Sequence, residues 1–260
     1  MSDTAYLALL LDGPLQSWGF ASRFQRRTTG LYPTKSGVIG LICAAMGLAK
    51  GSDEERRKLL ELRALKMTSI AVPRQQTNAW TGERTELAAR RLEDFHTVGG
   101  GYDKETQRQS IPRKASGGPC DNPTVSRRQY LNDARFGVIL AGDRSALEHV
   151  AVALQDPVWG VWLGRKSCIP SAPLFVARGE SQDCAWKAVL RACKMSEEAS
   201  METFTTVSEV KDFADGTDSV SDQPVNFGDG TSSGPDKRQF ATRRIKVVPG
   251  RAIENPKSKI

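Results

Sequence analysis

The histidine with the clearest chemical context is His96, which lies in the stretch DFHTVGG. An imidazole can cleave RNA without a metal by moving the proton of a ribose 2′-OH, and Tyr102 and Lys104 follow closely enough to assist it. Alternatively, His96 hydrogen-bonds a strand or stacks on a base without any proton transfer. The other histidine, His149, falls on a predicted helix, where we expect a structural side chain. A metal-independent endoribonuclease with His96 as its acid or base is therefore one hypothesis.

The rest of the sequence offers little catalytic chemistry. It contains no HExxH, no Walker A loop, no GxSxG and no GxGxxG after a predicted strand. Its 5 cysteines form no CxxC pair, which favours reduced thiols and a cytoplasmic protein. Carboxylates are concentrated in residues 209–236, where we expect a loop. We therefore expect no metal, no cofactor and no enzymatic activity.

Cations and aromatic residues recur together at predicted strand ends and turns. Small α+β domains bind single-stranded RNA by stacking bases on aromatic rings and by lining the phosphates with cations. Each such residue alone is more often a packing residue or a solvated charge, but the repeated pairing beside glycines favours RNA binding. The predicted contact residues of this kind are Trp18, Arg23, Arg26, Arg27, His96, Arg127, Arg128, Tyr130, Arg165 and Lys166, with Phe24, Phe95 and Trp162 beside them.

A predicted helix start supplies a further candidate site. The helix is expected from Thr34 or Ser36 to about Leu48, and its first backbone amides have no partner within the helix. Together with Lys35 and Ser36, these amides predict an anion site, and Gly37 would allow a phosphate to come close.

Predicted strands and helices must position these residues. Apolar runs and capping residues predict strands at 6–11, 67–72, 91–97, 125–130, 136–141 and 158–163, and helices at 34–48, 52–65 and 145–154. Without the 91–130 excursion this order is β-α-β-β-α-β, the ferredoxin-like (RRM-like) arrangement of an α+β fold. Beyond it we expect a helix at 184–193, strands at 203–210 and 243–248, and a flexible loop at 215–236.

Charge is distributed unevenly along the chain, whose formal net charge is +7. Residues 178–236 hold 5 Lys and Arg against 12 Asp and Glu, whereas residues 237–260 hold 8 against 1. The positive total is consistent with a polyanionic partner, and the acidic segment with a solvated loop region. The longest apolar stretch, residues 38–48, is too short to span a bilayer, so we expect no membrane association.

Six motifs, taken in order, resemble the CasD family of RAMP-type subunits of the type I-E CRISPR Cascade complex. They are LDGPLQSWG, GLYPTKSGVIGLICAAMGL, DFHTVGG, SRRQYLNDARFGV, WLGRKSCIPSAPLF and KRQFATRR. The resemblance covers residues 5–177 and 237–244. It implies a ferredoxin-like domain over residues 1–177 with a β-hairpin thumb at about 91–130. Residues 178–260 then form a smaller β-rich region with an acidic loop at 209–236 and a basic tail.

The resemblance also implies a function. Family members bind the 5′ handle of the crRNA without cutting it, contact the backbone subunit and the large PAM-reading subunit, and meet target DNA indirectly. A related type I-C subunit does process its own RNA, so His96 keeps its alternative role. A third reading is a protein-only interaction module whose positive charge serves solubility.

On this resemblance, residues of the matching motifs join the predicted RNA-binding set. We expect Gln16 and Trp18 to face the handle, with Trp18 offering an apolar plane and Gln16 reading a base edge or a phosphate. Thr97 and Arg238 are added from DFHTVGG and KRQFATRR. The alternative for Trp18 is a core residue beneath the sheet.

Overall fold

The computed structural model describes residues 4–19, 25–98, 123–228 and 237–250. Its helices are α1 (Lys35–Ala45), α2 (Asp53–Ala64), α3 (Arg144–Gln155) and α4 (Gln182–Ala192). Its strands are β1 (Thr4–Asp12), β2 (Leu15–Gln16), β3 (Arg26–Arg27), β4 (Lys66–Ala71), β5 (Arg74–Thr77), β6 (Arg84–Leu87), β7 (Arg90–Val98), β8 (Thr124–Asn132), β9 (Arg135–Asp143), β10 (Phe175–Gly179), β11 (Thr206–Glu209), β12 (Asp218–Asn226) and β13 (Gln239–Val248). None of the helices in these ranges is long and apolar enough to cross a membrane.

Strand β1 is apolar from Ala5 to Leu11 because both faces of its sheet are covered. Successive side chains of a strand point to opposite faces. Leu7 and Leu9 join the larger core with helices α1, α2 and α3, whereas Ala8 and Leu10 join a second core with α4. The sheet therefore lies between two helical layers, and the fold is a mixed α+β arrangement.

The main sheet has seven strands in the order β10-β1-β9-β4-β11-β13-β12. Every neighbouring pair is antiparallel. The C-terminal strands β11, β13 and β12 thus continue the sheet that β1 and β9 begin. The division of the chain at residue 177 stays a prediction.

Helices α1 and α2 begin at the caps that the sequence predicts. The Thr34 hydroxyl accepts a hydrogen bond from the Gly37 amide at the start of α1, and Ser52 accepts one from the Glu55 amide at the start of α2. Such caps satisfy amides that have no partner within the helix. Helix α3 differs, because Asp143 caps it in place of the predicted Ser145.

Three segments differ from the sequence-based expectation: one predicted strand is absent, and two segments contain strands that were not predicted. Residues 158–163 form no strand, since the amides of Val158 and Trp159 bond the last carbonyls of α1 and cannot join a ladder. The predicted acidic loop contains β12, whose two buried positions are Asp222 and Pro224, so no apolar alternation signals a strand. Strands β5 and β6 form a solvent-exposed hairpin for which the same apolar signal is missing.

A buried ionic cluster joins α1 to the C-terminal strands. Lys35 Nζ lies 2.9 Å from Glu209 Oε2, and Arg243 Nη2 donates to Asp222 Oδ2 at 2.9 Å. Asp222 Oδ2 also accepts a hydrogen bond from the Lys35 amide at 2.8 Å. Lys35, Asp222 and Arg243 are all buried. Two acidic residues of the acidic segment are therefore interior counterions of this cluster.

Candidate nucleic-acid interface

The predicted hairpin is present as strands β7 and β8, which pair antiparallel over nine positions. Its tip, residues 99–122 with Tyr102 and Lys104, lies outside the described residues. Strand β3 runs parallel along the other edge of β8, with Arg26 opposite Arg127 and Arg27 opposite Arg128. Because residues directly opposite each other share a face, this sheet sorts the predicted side chains onto two sides.

One side of the hairpin sheet borders an open cavity of about 930 Å³, which we call the thumb cleft. Five separate stretches of sequence meet there: strand β2, strand β3, strand β7, strand β8 and the loop after Leu163. The predicted residues that line this cleft are Arg27, His96, Arg128, Tyr130, Arg165 and Lys166. Cations outnumber the two carboxylates of the lining, Glu93 and Asp94, so the cleft attracts anions.

Arg165 connects two of the strands that line the thumb cleft. Its Nη1 donates to the Gln129 carbonyl and its Nη2 to the Arg27 carbonyl, both at 2.9 Å, so it joins β8 to β3. Its guanidinium carbon lies 4.7 Å from the centre of the Tyr130 ring, a cation–π distance. Tyr130 is 5% exposed, so the prediction that its ring is open to a base is wrong.

We expect Arg165→Ala to lower the free energy of unfolding by about 1–2 kcal/mol, because it removes two charge-assisted hydrogen bonds and the cover of Tyr130. Arg165→Lys should recover little of this loss, since an ammonium lacks the planar fork that reaches both carbonyls. Urea unfolding measures the loss, and amide hydrogen exchange along β8 localises it. A lysine variant as stable as the wild type would contradict the bridging role.

The loop carrying Arg165 is held by a glycine that no other residue can replace without strain. Gly164 has a φ of +99°, and an added Cβ would lie 1.8 Å from the Ser17 carbonyl oxygen. The Ser17 amide in turn donates to the Leu163 carbonyl at 3.0 Å. The two backbone segments therefore cross in direct contact, and this crossing fixes the position of the backbone from which the Arg165 side chain extends.

The opposite side of the hairpin sheet carries Arg26, Arg127 and Thr97 with the ring of Phe95. Phe95 is 67% exposed and contributes to a smaller cavity with Arg26 and Arg127. The nearest charge to Arg127 is Glu93, at 3.9 Å across a solvent-exposed pair. The structure therefore does not bring Arg26, Arg127 and Thr97 together with the thumb-cleft residues. Arg23 lies outside the described residues.

The predicted outward orientation of Gln16 and Trp18 is wrong, because both side chains are 0% exposed. Gln16 Nε2 donates to the carbonyls of Leu11 and Ala134, and Gln16 Oε1 accepts a hydrogen bond from Trp18 Nε1 at 3.0 Å. The amide and the indole thus satisfy each other inside the core. Trp18 is the core residue that the alternative described.

The predicted anion site at the start of α1 is also wrong, because the chain fills it itself. The Asp222 carboxylate accepts the Lys35 amide, and the Lys35 ammonium lies against Glu209. Burial lowers the pKa of Lys35, and the charge of Glu209 opposes that effect. A Cβ at Gly37 would lie 2.9 Å from the Trp18 ring, so this glycine allows close packing rather than the approach of a phosphate.

The remaining predicted residues, Ser36 and Arg238, border a second open cavity of about 630 Å³, which we call the α1 groove. It lies beside α1, and its lining includes Trp159, Trp162 and Phe240. Sequence reasoning missed Trp159 and Phe240. The spacing of Trp159 and Trp162 in a single glycine-containing loop is the signal that could have found the first of them.

The described residues contain one arrangement with acid–base potential. His96 Nδ1 lies 3.5 Å from Asp94 Oδ2 in the thumb cleft, and both side chains are about 40% exposed. Sequence reasoning missed Asp94, although a two-residue spacing on a strand places it on the face of His96. Burial raises the pKa of the Cys43 thiol to about 12, so this cysteine is protonated at neutral pH. No group of three potential metal ligands occurs in the described ranges.

Comparisons with known proteins show which family the chain resembles. A family model described as CRISPR-associated protein (Cas_Cas5) matches residues 6–246. The Escherichia coli (strain K12) CRISPR system Cascade subunit CasD is 30% identical over 183 residues, which are 69% of this chain and 73% of that protein. A chain of a CRISPR RNA-guided surveillance complex is 28% identical with a TM-score of 0.65 and covers 94% of this chain and 90% of its own length. A crystal structure of a Cas protein is 27% identical with a TM-score of 0.53, covering 94% and 95%.

Proposed function

Because this chain belongs to the CRISPR-associated Cas5 family, we propose that it is the subunit of a type I-E Cascade surveillance complex that binds the 5′ handle of the crRNA. The observation that carries the proposal is the thumb cleft. Three stretches of sequence, far apart in the chain, bring Arg27, Arg128, Arg165 and Lys166 to one cavity. Such a cationic cavity beside a strand hairpin suits the phosphates of a single strand.

The topology of the main sheet supports a ferredoxin-like assignment of the RNA-binding domain. Strands β1, β4, β9 and β10 stand in the spatial order β10-β1-β9-β4, and all their pairings are antiparallel. Helices α1 and α2 connect β1 to β4, and α3 lies between β9 and β10 in the chain. The β7–β8 hairpin is inserted between β4 and β9, where a thumb is expected.

The proposed partners follow from the same assignment. The hairpin sheet presents two polar, cation-bearing faces, so one face can hold the guide while the other contacts the backbone subunit. We further propose contacts with the large PAM-reading subunit, and with target DNA only through the guide. The cytoplasm, where the guide would be bound, is the proposed location.

The proposed role is to hold RNA without cutting it, and the His96–Asp94 pair carries the competing hypothesis of a metal-independent endoribonuclease. Asp94 could orient the imidazole of His96 for proton transfer. In the thumb cleft, however, His96 has as neighbours Arg128 and Lys166, which are equally suited to simple phosphate binding.

We expect the purified protein, in EDTA, to bind repeat RNA that contains the handle and to leave it intact. Binding should weaken steadily with salt, because phosphate contacts release counterions. Gel shifts at several salt concentrations measure the binding, and denaturing gels measure cleavage. His149→Ala, a change at an exposed position on α3, is the matched control for His96→Ala. Handle-specific cleavage that His96→Ala abolishes and His149→Ala preserves would replace the proposed function with the nuclease.

A further inference from the structure

The α1 groove is a second cavity with the chemistry of a nucleotide site. Its volume of about 630 Å³ lies within the roughly 300–1,000 Å³ that small ligands occupy in proteins. Trp159 is 46% exposed and Phe240 is 39% exposed, so both rings remain available to a ligand. Helix α1 also lines the groove, where Gly40 adds no side chain.

The walls of the groove are fixed to the rest of the fold. Val158 and Trp159 donate their backbone amides to the carbonyls of Ala45 and Ala44 at the end of α1. These bonds satisfy carbonyls that have no partner within the helix. The rings of Phe227 and Phe240, which also line the groove, meet edge to face at 6.5 Å. The aromatic surfaces are therefore in place before any ligand arrives.

The charges around the groove favour an anionic ligand. Arg238 and Lys50 line it, and the one carboxylate of the described lining is that of Glu55. Glu55 is 2% exposed and accepts the Gly51 amide at 2.7 Å, so its charge is directed into the protein. Aromatic planes with cations beside them match a nucleobase and its phosphate better than an apolar peptide segment.

The α1 groove and the thumb cleft are neighbours. Gly164 lines the groove, whereas the next residues, Arg165 and Lys166, line the thumb cleft. The segment before Trp18 also borders both cavities, since Leu15 lines the thumb cleft and Ser17 lines the α1 groove. A single strand that leaves one cavity needs to cross only this narrow ridge to enter the other.

Resting on the proposed function, we propose that the α1 groove binds unpaired nucleotides of the same RNA that occupies the thumb cleft. A base stacks against Trp159 and Phe240, and its phosphate pairs with Arg238. The groove thus adds a stacking site to a cleft that binds mainly through charge. Trp159 and Phe240 are the residues that this inference adds to the predicted RNA-binding set.

The test uses the full chain and a handle RNA carrying the photoreactive base 4-thiouridine at each position in turn. Cross-linked peptides are identified by mass spectrometry, and affinity is measured by fluorescence anisotropy. We expect one group of positions to cross-link to the peptides of Trp159 or Phe240, and another to those of Arg128 or Lys166. Trp159→Ala should weaken affinity about tenfold and remove the first group only. Trp159→Phe should keep most of the wild-type affinity and most of the first group of cross-links.

The matched control is Trp80→Ala, which removes an indole that is 96% exposed at the tip of the β5–β6 hairpin and lines neither cavity. If the wild type cross-links at the thumb cleft but Trp159→Ala binds like Trp80→Ala, the groove inference is overturned and the proposed function stands. Cross-linking of the groove peptides to a neighbouring protein subunit, in an assembled complex, would overturn it too. If the wild type neither binds the handle RNA nor cross-links to it at any position, the proposed function itself is contradicted.

Discussion

Replacing Asp222 with alanine should lower the free energy of unfolding by about 3–5 kcal/mol, the loss typical of breaking a buried ion pair. Asp222 is 1% exposed and Arg243 is 6% exposed, so the guanidinium would be left in the interior beside a single carboxylate, that of Glu209. The Lys35 amide would lose its acceptor as well. Urea unfolding followed by tryptophan fluorescence measures the change.

The matched control is Asp183→Ala, which removes the acidic partner of Lys187 in an exposed pair on α4. Exposed pairs of this kind contribute about 0.3–0.5 kcal/mol. Asp222→Leu combined with Arg243→Met should recover part of the loss, because neither charge is then buried alone. If Asp222→Ala shifts the urea midpoint no further than Asp183→Ala, the buried cluster does not hold the C-terminal strands to α1.

Reversing the charge of the thumb cleft should have the largest effect on RNA. Arg27, Arg128 and Lys166 line the cleft, and none of them bridges strands as Arg165 does. We expect their joint replacement by glutamate to weaken handle binding by at least about 100-fold. The slope of log affinity against log salt should fall by about 2, since each lost phosphate contact removes about 0.7 for a single strand. Anisotropy titrations over a range of salt concentrations measure both.

The control for this triple variant changes net charge equally at a distance. Arg57, Lys194 and Lys211 are exposed and line neither cavity, so their replacement by glutamate tests the long-range field of the protein alone. We expect it to weaken binding only a few-fold at low salt and hardly at all at high salt. Equal losses in the two triple variants would show that the thumb cleft is not the binding surface.

The elements of the chain that the sequence predicted well are those with a local physical cause. The run of apolar residues in β1 follows from burial on both faces, and Thr34 and Ser52 cap helices through bonds to amides three residues on. The strand at residues 158–163 was wrong because its amides are bound to the end of α1, a partner more than a hundred residues away. No local pattern in the sequence records such a partner.

The candidate site shows the same limit. Arg27, Arg128 and Lys166 were predicted as RNA contacts from cations and aromatic residues beside glycines, and the structure places all three along one cavity. Their binding of RNA stays a prediction. Gln16 and Trp18 have the composition of an RNA contact, but they satisfy each other's hydrogen bonds in the core. The start of α1 has the composition of a phosphate site, and a carboxylate 187 positions further along the chain occupies it. Long-range pairing of polar groups decided both cases.

The crossing of Ser17 and Gly164 has a consequence for how the chain can vary in length. Surface loops usually accept extra residues, because their ends have freedom to adjust. Here two backbones touch without room for a single methyl group, and each separates the same pair of cavities. Insertions or deletions next to either residue would misalign both cavities at once, so diversification here must proceed by exchanging side chains at constant length.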